Sequence, residues 1–439
     1  MIEKAPKFKV DSPIFFGVVS LTLMRSLNKE LIDKIDSKYL YWDKIKHLPY
    51  KKITPEEVWD YTKIKRFLHE KSLKIAKDKN ALSFKYTVND FLQEKLHNLD
   101  FNFGAGIQKE QLLTDLDKLQ YLNNALMEES IFSSMIEGAT TTRVKAKDML
   151  RKNKKPKNKS EQMILNNYKT IQYISEHQNE NISKEELAEI HRLVTDSTLE
   201  EENIGVYRDN NEINVVNELT GEIVHTPPSF EILDELMISF YDFFNKNPKE
   251  NFIHPIVKAS ILHFLIGYIH PFVDGNGRTA RAIFYWYLLK NGYWLTEYLS
   301  ISRVIMKTKG QYEKAYLYTE IDEMDVTYFI HYQVKVLIKA FEELKTYVTK
   351  KKKEQSKLLK YLKHDAINER QATILQKIEE DNNRFFTVKE IENMFSITNQ
   401  TARTDIEELV IKGFLKKIAI NKKSFNYWKG DKFEKLTSK

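Results

Sequence analysis

The 439-residue chain contains no cysteine, which removes disulfides, thiolate metal sites and cysteine nucleophiles from consideration together. Glycine (13 residues) and proline (10) are scarce while phenylalanine, tyrosine and lysine are plentiful, a balance that suits a mainly α protein. Long hydrophobic runs are also missing. Ile14 to Met24 follows Lys4, Lys7 and Lys9 in the manner of a signal, but Asp11 interrupts the charged flank, no small-residue cleavage site follows, and the run is too short to span a bilayer. We expect a buried segment there, no membrane partner and a cytoplasmic location. The net charge of +7 is spread thinly, so it permits an acidic or nucleic-acid partner without requiring one. With 42% apolar and 30% charged residues, the composition is globular and the length is sufficient for two or three domains.

One stretch concentrates chemistry. His270-Pro-Phe-Val-Asp-Gly-Asn-Gly-Arg-Thr-Ala-Arg281 places an imidazole, a carboxylate, two glycines and two arginines within one connector. Before it, Pro255 to Ile269 is apolar almost all round, as expected of a helix buried inside a domain. Pro271 disfavours helical geometry at His270 and stops that helix. Phe272 pins the loop to the core, and Asp274 to Gly277 turn the chain, with glycines letting backbone N–H groups approach a ligand. Arg278 opens a second helix that runs to Lys290 and stops at Asn291-Gly292. A helix N-terminus favours anions, yet Arg278 and Arg281 lie together in this first turn, three apart on neighbouring faces. An anion must offset them, either a triphosphate or an internal carboxylate.

Upstream, Leu112, Leu116, Leu119, Leu122 and Leu126 recur at helical spacing and predict a helix from Lys109 to Glu137. It ends in Ser133-Ser-Met-Ile-Glu-Gly138, where Gly138 is a C-terminal cap. Glu137 then sits at the negative end of a helix, where a carboxylate is disfavoured. Two helix ends, each with the wrong charge, would resolve each other if Glu137 met Arg281.

The rest is read more coarsely. Residues 1–104 form a mostly helical region, with a helix start at Thr54-Pro55 and Trp42, Trp59 and Tyr61 assigned to core. Arg151 to Lys159 is a solvated lysine-rich loop, followed by helices at Ser160–Glu176 and Ser183–Ser197, the latter with a capping box at Ser183 and Glu186. Behind Gly205-Val-Tyr-Arg208, Glu212 to Val216 and Glu222 to His225 flank a turn and predict a β-hairpin. Helices follow at Ser229–Asn245, Ser302–Tyr318 and Thr327–Thr349. Tyr312 and Tyr316, four apart, either face a nucleotide base or pack in the core. Lys350 to Lys363 is a basic helix or linker, within a linker assigned to 346–365.

Residues 366–439 follow a winged helix-turn-helix pattern (α+β): helices at Ala366–Glu380, Thr387–Met394 and Thr398–Lys412, then strands at Phe414–Ile418 and Ser424–Trp428. From Asp365 onward there are 14 Lys/Arg against 12 Asp/Glu, and the recognition helix carries Asp405, Glu407 and Glu408 against Arg403 and Lys412. Lys416, Lys417, Lys422 and Lys423 of the wing favour phosphate contact. DNA binding and a protein-contact or dimerisation role both remain open on this evidence.

The run from His270 to Arg281 resembles the Fic family pattern His-Pro-Phe-x-(Asp/Glu)-Gly-Asn-Gly-Arg-x-x-Arg at every specified position. Ser133, Glu137 and Gly138 resemble that family's inhibitory-helix motif, (Ser/Thr)-x-x-x-Glu-(Gly/Asn). The resemblance implies an all-helical Fic core over 105–345 with the inhibitory helix at about 109–138, a hairpin flap at about 205–226 and an active-site loop at 270–281. It also implies transfer of AMP from ATP to a Ser, Thr or Tyr hydroxyl of a protein. His270 would be the general base, Asp274 the ligand of Mg²⁺, Gly275, Asn276 and Gly277 the cradle for developing charge, and Arg278 and Arg281 the partners of the β- and γ-phosphates. Ser133 and Glu137 would form the brake, with Glu137 occupying Arg281. Expected partners are a target protein docked on the flap, the chain itself, DNA through 366–439 and a second copy in a homodimer. The alternatives are removal of AMP, with Glu137 positioning water, and a DNA-binding regulator whose Fic domain senses nucleotide. Phosphate transfer in the manner of the Doc branch is disfavoured, because Gly277 stands where that branch carries lysine.

Overall fold

The computed structural model describes residues 2–7, 29–50, 53–73, 75, 83–103, 115–216, 221–246, 252–362, 367–381, 383–395, 397–420 and 425–434. The predicted segment Ile14 to Met24, the first residues of the 109–137 helix and the hairpin turn at 217–220 lie outside these. The chain divides into two compact units, residues 1–342 and 343–439.

The first unit opens with α1 (Lys29–Lys38), α2 (Trp42–Ile45) and α3 (Pro55–His69). Thr54 and Glu57 close a reciprocal capping box at the start of α3, with Pro55 as its first helical residue. Trp42 and Trp59 are buried in the cluster these helices share with Tyr328. A short pair, β1 (Lys71–Ser72) and β2 (Lys85–Tyr86), was not anticipated from the sequence; it precedes α4 (Asp90–Phe103).

The site is built on the next elements: α5 (Asp115–Ile136), α6 (Arg143–Arg151), α7 (Lys159–Glu176) and α8 (Lys184–Thr195), whose cap is Ser183 accepting from the Glu186 N–H. The flap is a bulged antiparallel pair, β3 (Val215–Val216) with β4 (Ile223–His225), shorter than the alternating pattern predicts. Then come α9 (Leu233–Asn245), α10 (Pro255–Ile269) and α11 (Asn276–Lys290). α10 is buried on every face from Ile256 to Ile266, which explains why its sequence is apolar almost all round. It packs on α11, which also rests against α7 and α8. α5 packs on α7 and on α12 (Ile301–Lys307). There the buried Glu129 carboxylate accepts from Ser302 N–H at 2.9 Å and from the Ser300 hydroxyl at 3.1 Å, fastening α5 to the start of α12.

The single helix predicted from Ser302 to Tyr318 is two, α12 and α13 (Lys309–Ile321). At Thr308 the side-chain hydroxyl donates to Val304 O at 2.9 Å and the backbone leaves helical geometry at φ −128°. α14 (Thr327–Leu362) continues through the lysine run.

The second unit holds α15 (Glu369–Glu380), α16 (Val388–Phe395), α17 (Asn399–Ile411), β5 (Leu415–Ala419) and β6 (Phe425–Lys429), which pair antiparallel. Its core joins Ile374, Leu375, Ile391, Ile406 and Leu409 with Tyr427. Asn368 and Gln371 form a capping box ahead of α15, Thr398 caps α17, and Gly413 leaves α17 at φ 81°. Among the described residues, no helix is long and apolar enough to cross a membrane.

Candidate active site

α10 ends at His270, which adopts the left-handed conformation (φ 51°, ψ 58°) while its N–H closes the last turn on Ile266 O at 3.0 Å. The ring turns back so that Nδ1 lies 3.3 Å from Gly267 O. A carbonyl only accepts, so Nδ1 carries the proton and Nε2 is left with a free lone pair. Burial lowers the pKa to about 4, so the ring is unprotonated at neutral pH.

The following loop is clamped from α8. Phe272 is fully buried and stacks on His191, with ring centroids 3.7 Å apart and planes 9° apart. His191 Nε2 donates to Asp274 O at 2.8 Å, and its Nδ1 accepts from Gly205 N–H at 2.9 Å. One donor and one acceptor require a neutral ring, in keeping with burial lowering this pKa to about 4. Gly275 sits at φ 84°, and a Cβ there would come within 2.9 Å of Thr195.

Asn276 differs from its expected role. Its Oδ1 accepts from Phe272 N–H at 2.9 Å and its Nδ2 donates to Phe272 O at 2.7 Å, and the residue is buried. The amide is committed to closing the loop, which leaves its backbone N–H, not its side chain, for a ligand.

α11 begins at Asn276, two residues before the predicted Arg278. The N–H groups of its first turn have no intrahelical acceptor. The Glu137 carboxylate, carried just past the end of α5, lies over this turn: a Cβ at Gly277 would stand 2.9 Å from Glu137 Cδ. Glu137 Oε1 pairs with Arg281 Nη2 at 2.9 Å. Arg281 also donates from Nε to Ser133 Oγ at 2.8 Å and from Nη2 to Ser133 O at 2.9 Å, while its buried Nη1 has no hydrogen-bond partner. Burial opposes its charge, but Glu137, Tyr312 and Glu129 together more than offset that and hold its pKa above the usual arginine value.

Arg278 is as deeply buried, donates from Nη1 to Val194 O at 3.0 Å and lies 3.5 Å from Asp274 Oδ2; its Nε has no partner. Burial lowers its pKa. Asp274 is about half exposed (48%), and its Oδ1 accepts from Gly275 N–H at 2.6 Å. Among the described residues, no group of three or more acidic or histidine side chains is arranged to hold a metal. A single accessible carboxylate fits a hard cation such as Mg²⁺, which keeps most of its ligands as water and phosphate oxygens.

His270, Glu137, Gly277 and the flap residues Val215 and His225 border one cavity of about 280 Å³, closed on the far side by Tyr312 and Tyr316 of α13. The two tyrosines line the cavity and also pack. Tyr312 Oη is 3.0 Å from His263 Nε2, and Gly267 lacks the Cβ that the Tyr316 ring would strike.

The structure therefore brings His270, Asp274, Gly275, Gly277, Arg278, Arg281, Glu137 and Ser133 together, while the Asn276 side chain is spent on closing the loop. Sequence reasoning missed His191 and His225. Both are isolated histidines in otherwise ordinary contexts, and only the fold connects them to the loop. Arg208 was visible beside Gly205 but had been assigned to the approach to the hairpin.

Residues 181–288 match the model of the Fic/DOC family and residues 370–419 that of the DeoR-like helix-turn-helix domain. Over 70 residues the chain is 43% identical to the protein adenylyltransferase Fic of Nematostella vectensis, covering 16% of this chain and 16% of that protein. Over 69 residues it is 39% identical to the Drosophila willistoni protein of the same name, covering 16% and 14%. Among solved structures, a Fic family protein from Desulfovibrio desulfuricans G20 superposes on 77% of this chain and 94% of its own, with TM-score 0.51 and 19% identity. Fic-1 from C. elegans covers 76% and 88%, with TM-score 0.51 and 16% identity. At such identities the likeness establishes the fold.

Proposed function

We propose, for a chain that carries a Fic/DOC domain and a DeoR-like helix-turn-helix domain, that it transfers AMP from ATP to a protein hydroxyl and is held in check by Glu137. The observation that carries this reading is the Glu137–Arg281 pair at 2.9 Å, with Arg281 Nη1 buried and unpartnered and Glu137 itself bordering the His270 cavity. A buried guanidinium with an unused donor, above helix N–H groups that lack acceptors, is a site built for a polyanion and filled by the protein's own carboxylate.

In the transfer, the acceptor oxygen attacks the α-phosphorus, the bond to pyrophosphate breaks, and the hydroxyl proton passes to His270 Nε2. The neutral ring, with Nδ1 tied to Gly267 O, presents that nitrogen already unprotonated. Arg278 and Arg281 neutralise the leaving pyrophosphate, and the N–H groups of Asn276 to Arg278 stabilise charge developing on the transferred group. Asp274 would hold Mg²⁺, which offsets phosphate charge when bound. Glu137 opposes all this by occupying Arg281 and the space over Gly277. The target segment would lie along the flap, whose short strands leave edge groups to pair with. The chain itself is one accessible target. Transfer of label from α-labelled ATP tests the reading: Glu137→Gly should transfer far more than the wild type and His270→Ala none, whereas equal label on all three contradicts it.

A second activity, DNA binding through 366–439, is favoured by the fate of the acidic residues on α17. Asp405 is buried and bonded to Arg370 and Asn368, Glu407 accepts from Tyr427 Oη and pairs with Lys417, and Glu408 accepts from Gln371. Asn399, Gln400, Arg403 and Thr404 are left exposed near the start of α17, side-chain types that read base edges. A duplex probe whose shift weakens with salt and is unchanged by His270→Ala supports this; no shift at low salt contradicts it.

A further inference from the structure

The end of α10 is capped from outside the helix, by the two roots of the flap. The last carbonyls of a helix have no intrahelical donor, yet each one from Ile266 to Pro271 is satisfied in succession. Ile266 O accepts from His270 N–H at 3.0 Å and Gly267 O from His270 Nδ1 at 3.3 Å. Tyr268 O accepts from His225 Nε2 at 2.8 Å, at the end of β4. Ile269 O accepts from Arg208 Nη2 at 3.4 Å, His270 O from Arg208 Nε at 2.9 Å and Pro271 O from the Arg208 N–H at 2.9 Å, on the approach to β3.

Both residues are anchored elsewhere. Arg208, only 4% exposed, also donates to Asn210 O at 3.0 Å and to Pro228 O, at the start and the exit of the flap. His225 Nδ1 lies 2.9 Å from Glu320 Oε2 of α13. A cationic donor such as Arg208 at a helix C-terminus is electrostatically favourable, but here Arg208 and His225 do more than end a helix. A left-handed backbone is unusual for a residue other than glycine, asparagine or aspartate and persists only where its surroundings hold it. At His270 that backbone is what turns the ring onto Gly267 O and fixes the proton on Nδ1.

We propose that His225 and Arg208 are positioning residues for His270, locking its backbone, rotamer and tautomer, so that the flap that receives the target and the base that activates it form one rigid unit. This rests on the reading of His270 as the base of AMP transfer. It extends that reading by assigning the base's orientation to the flap rather than to the nucleotide cradle. A target held on the flap is thereby registered against Nε2 through two side chains, without any contact between target and cradle.

The test uses the full chain in the Glu137→Gly background. His225→Gln puts an amide nitrogen where Nε2 stood and should keep kcat within about threefold. His225→Asn is shorter, reaching toward Glu320 but not Tyr268 O. It should lower kcat about tenfold or more while KM for ATP stays within about twofold, because the cradle from Asp274 to Arg281 is untouched. Arg208→Lys, which keeps the charge and loses the fork, should behave like His225→Asn. Parental kcat in the His225→Asn variant, or a joint fall of kcat and ATP affinity in Gln and Asn variants alike, overturns the proposal. If the Glu137→Gly parent transfers no AMP, the transfer reading fails instead, and the His270 tautomer decides separately. Nitrogen-15 histidine spectra should show Nδ1–H alone in the parent and in His225→Gln, and both tautomers in His225→Asn. An unchanged His270 signal in His225→Asn refutes the lock.

Discussion

The Glu137 carboxylate occupies the space into which a side chain at Gly277 would project, and it does so while paired with Arg281 at 2.9 Å. Two residues 140 positions apart in sequence thus restrict each other: the glycine admits the carboxylate, and the carboxylate requires the glycine. Because the obstructing atoms are the far end of a flexible side chain, a methyl group at 277 can be accommodated only by moving Glu137 off Arg281.

That predicts non-additivity. Gly277→Ala should cost about 1–3 kcal/mol of stability with Glu137 present, the range for disrupting a hydrogen-bonded pair on a buried arginine. In a Glu137→Gly background the same change should be near neutral or stabilising by up to about 1 kcal/mol, since alanine is the better helix former. Denaturant melts of the four proteins measure the coupling; equal costs in both backgrounds contradict it.

Ser133 grips the same guanidinium through its hydroxyl and its carbonyl. Ser133→Ala removes one of these and leaves Glu137 in place. AMP transfer should therefore rise above wild type by a few-fold, about 1 kcal/mol of lost restraint, and remain well below the Glu137→Gly rate. Labelled-ATP assays of the three side by side decide it.

Burial of His270 and His191 has a pH signature. Both rings have pKa values of about 4 in the folded chain, against about 6.5 for a free histidine. Between those values the unfolded chain binds more protons, so stability rises with pH through this window and is lost as pH falls. Each ring contributes up to about 1.4 kcal/mol per pH unit. Melting at pH 7 and pH 5 should show the loss, and His270→Ala should remove part of the difference. The catalytic counterpart is a flat profile. With His270 unprotonated down to about pH 4, kcat/KM of the Glu137→Gly variant should be level from pH 8 to 6, where an unshifted histidine would give a fall of about fourfold.

Asp405 separates a structural acid from a repulsive one. Its carboxylate receives Arg370 Nε at 2.6 Å and Asn368 Nδ2 at 2.9 Å while buried. Asp405→Ala should destabilise residues 343–439 by about 2–4 kcal/mol without tightening DNA. Tighter DNA binding by the variant, with an unchanged melt, would place Asp405 at the DNA surface.

Much of this was legible in the sequence where the signal was local. Pro271 after a run apolar almost all round located the end of α10, and Gly138 and Gly292 located the ends of α5 and α11, because each acts on the backbone within a residue or two. Opposed charges at two helix ends even suggested the Glu137–Arg281 contact. Orientation was not legible: Asn276 stands among the candidate cradle residues in the sequence, yet its amide closes on Phe272. His191, His225 and Arg208 act across sequence separations of 83, 43 and 62 residues, and no periodicity encodes such contacts. The break at Thr308, where the backbone leaves helical geometry, carries no mark in the periodicity of Ser302 to Tyr318.

We propose that Glu137 is the anion holding an otherwise competent transferase off, and intact-mass measurement of the Glu137→Gly chain after incubation with ATP and Mg²⁺ reports both self-modification and the identity of the group transferred. Added mass in whole adenylyl increments is expected on Glu137→Gly, little on the wild type and none when His270→Ala is combined with it. An unmodified Glu137→Gly chain that also fails to label any added protein, or an increment equal to a phosphate, contradicts it.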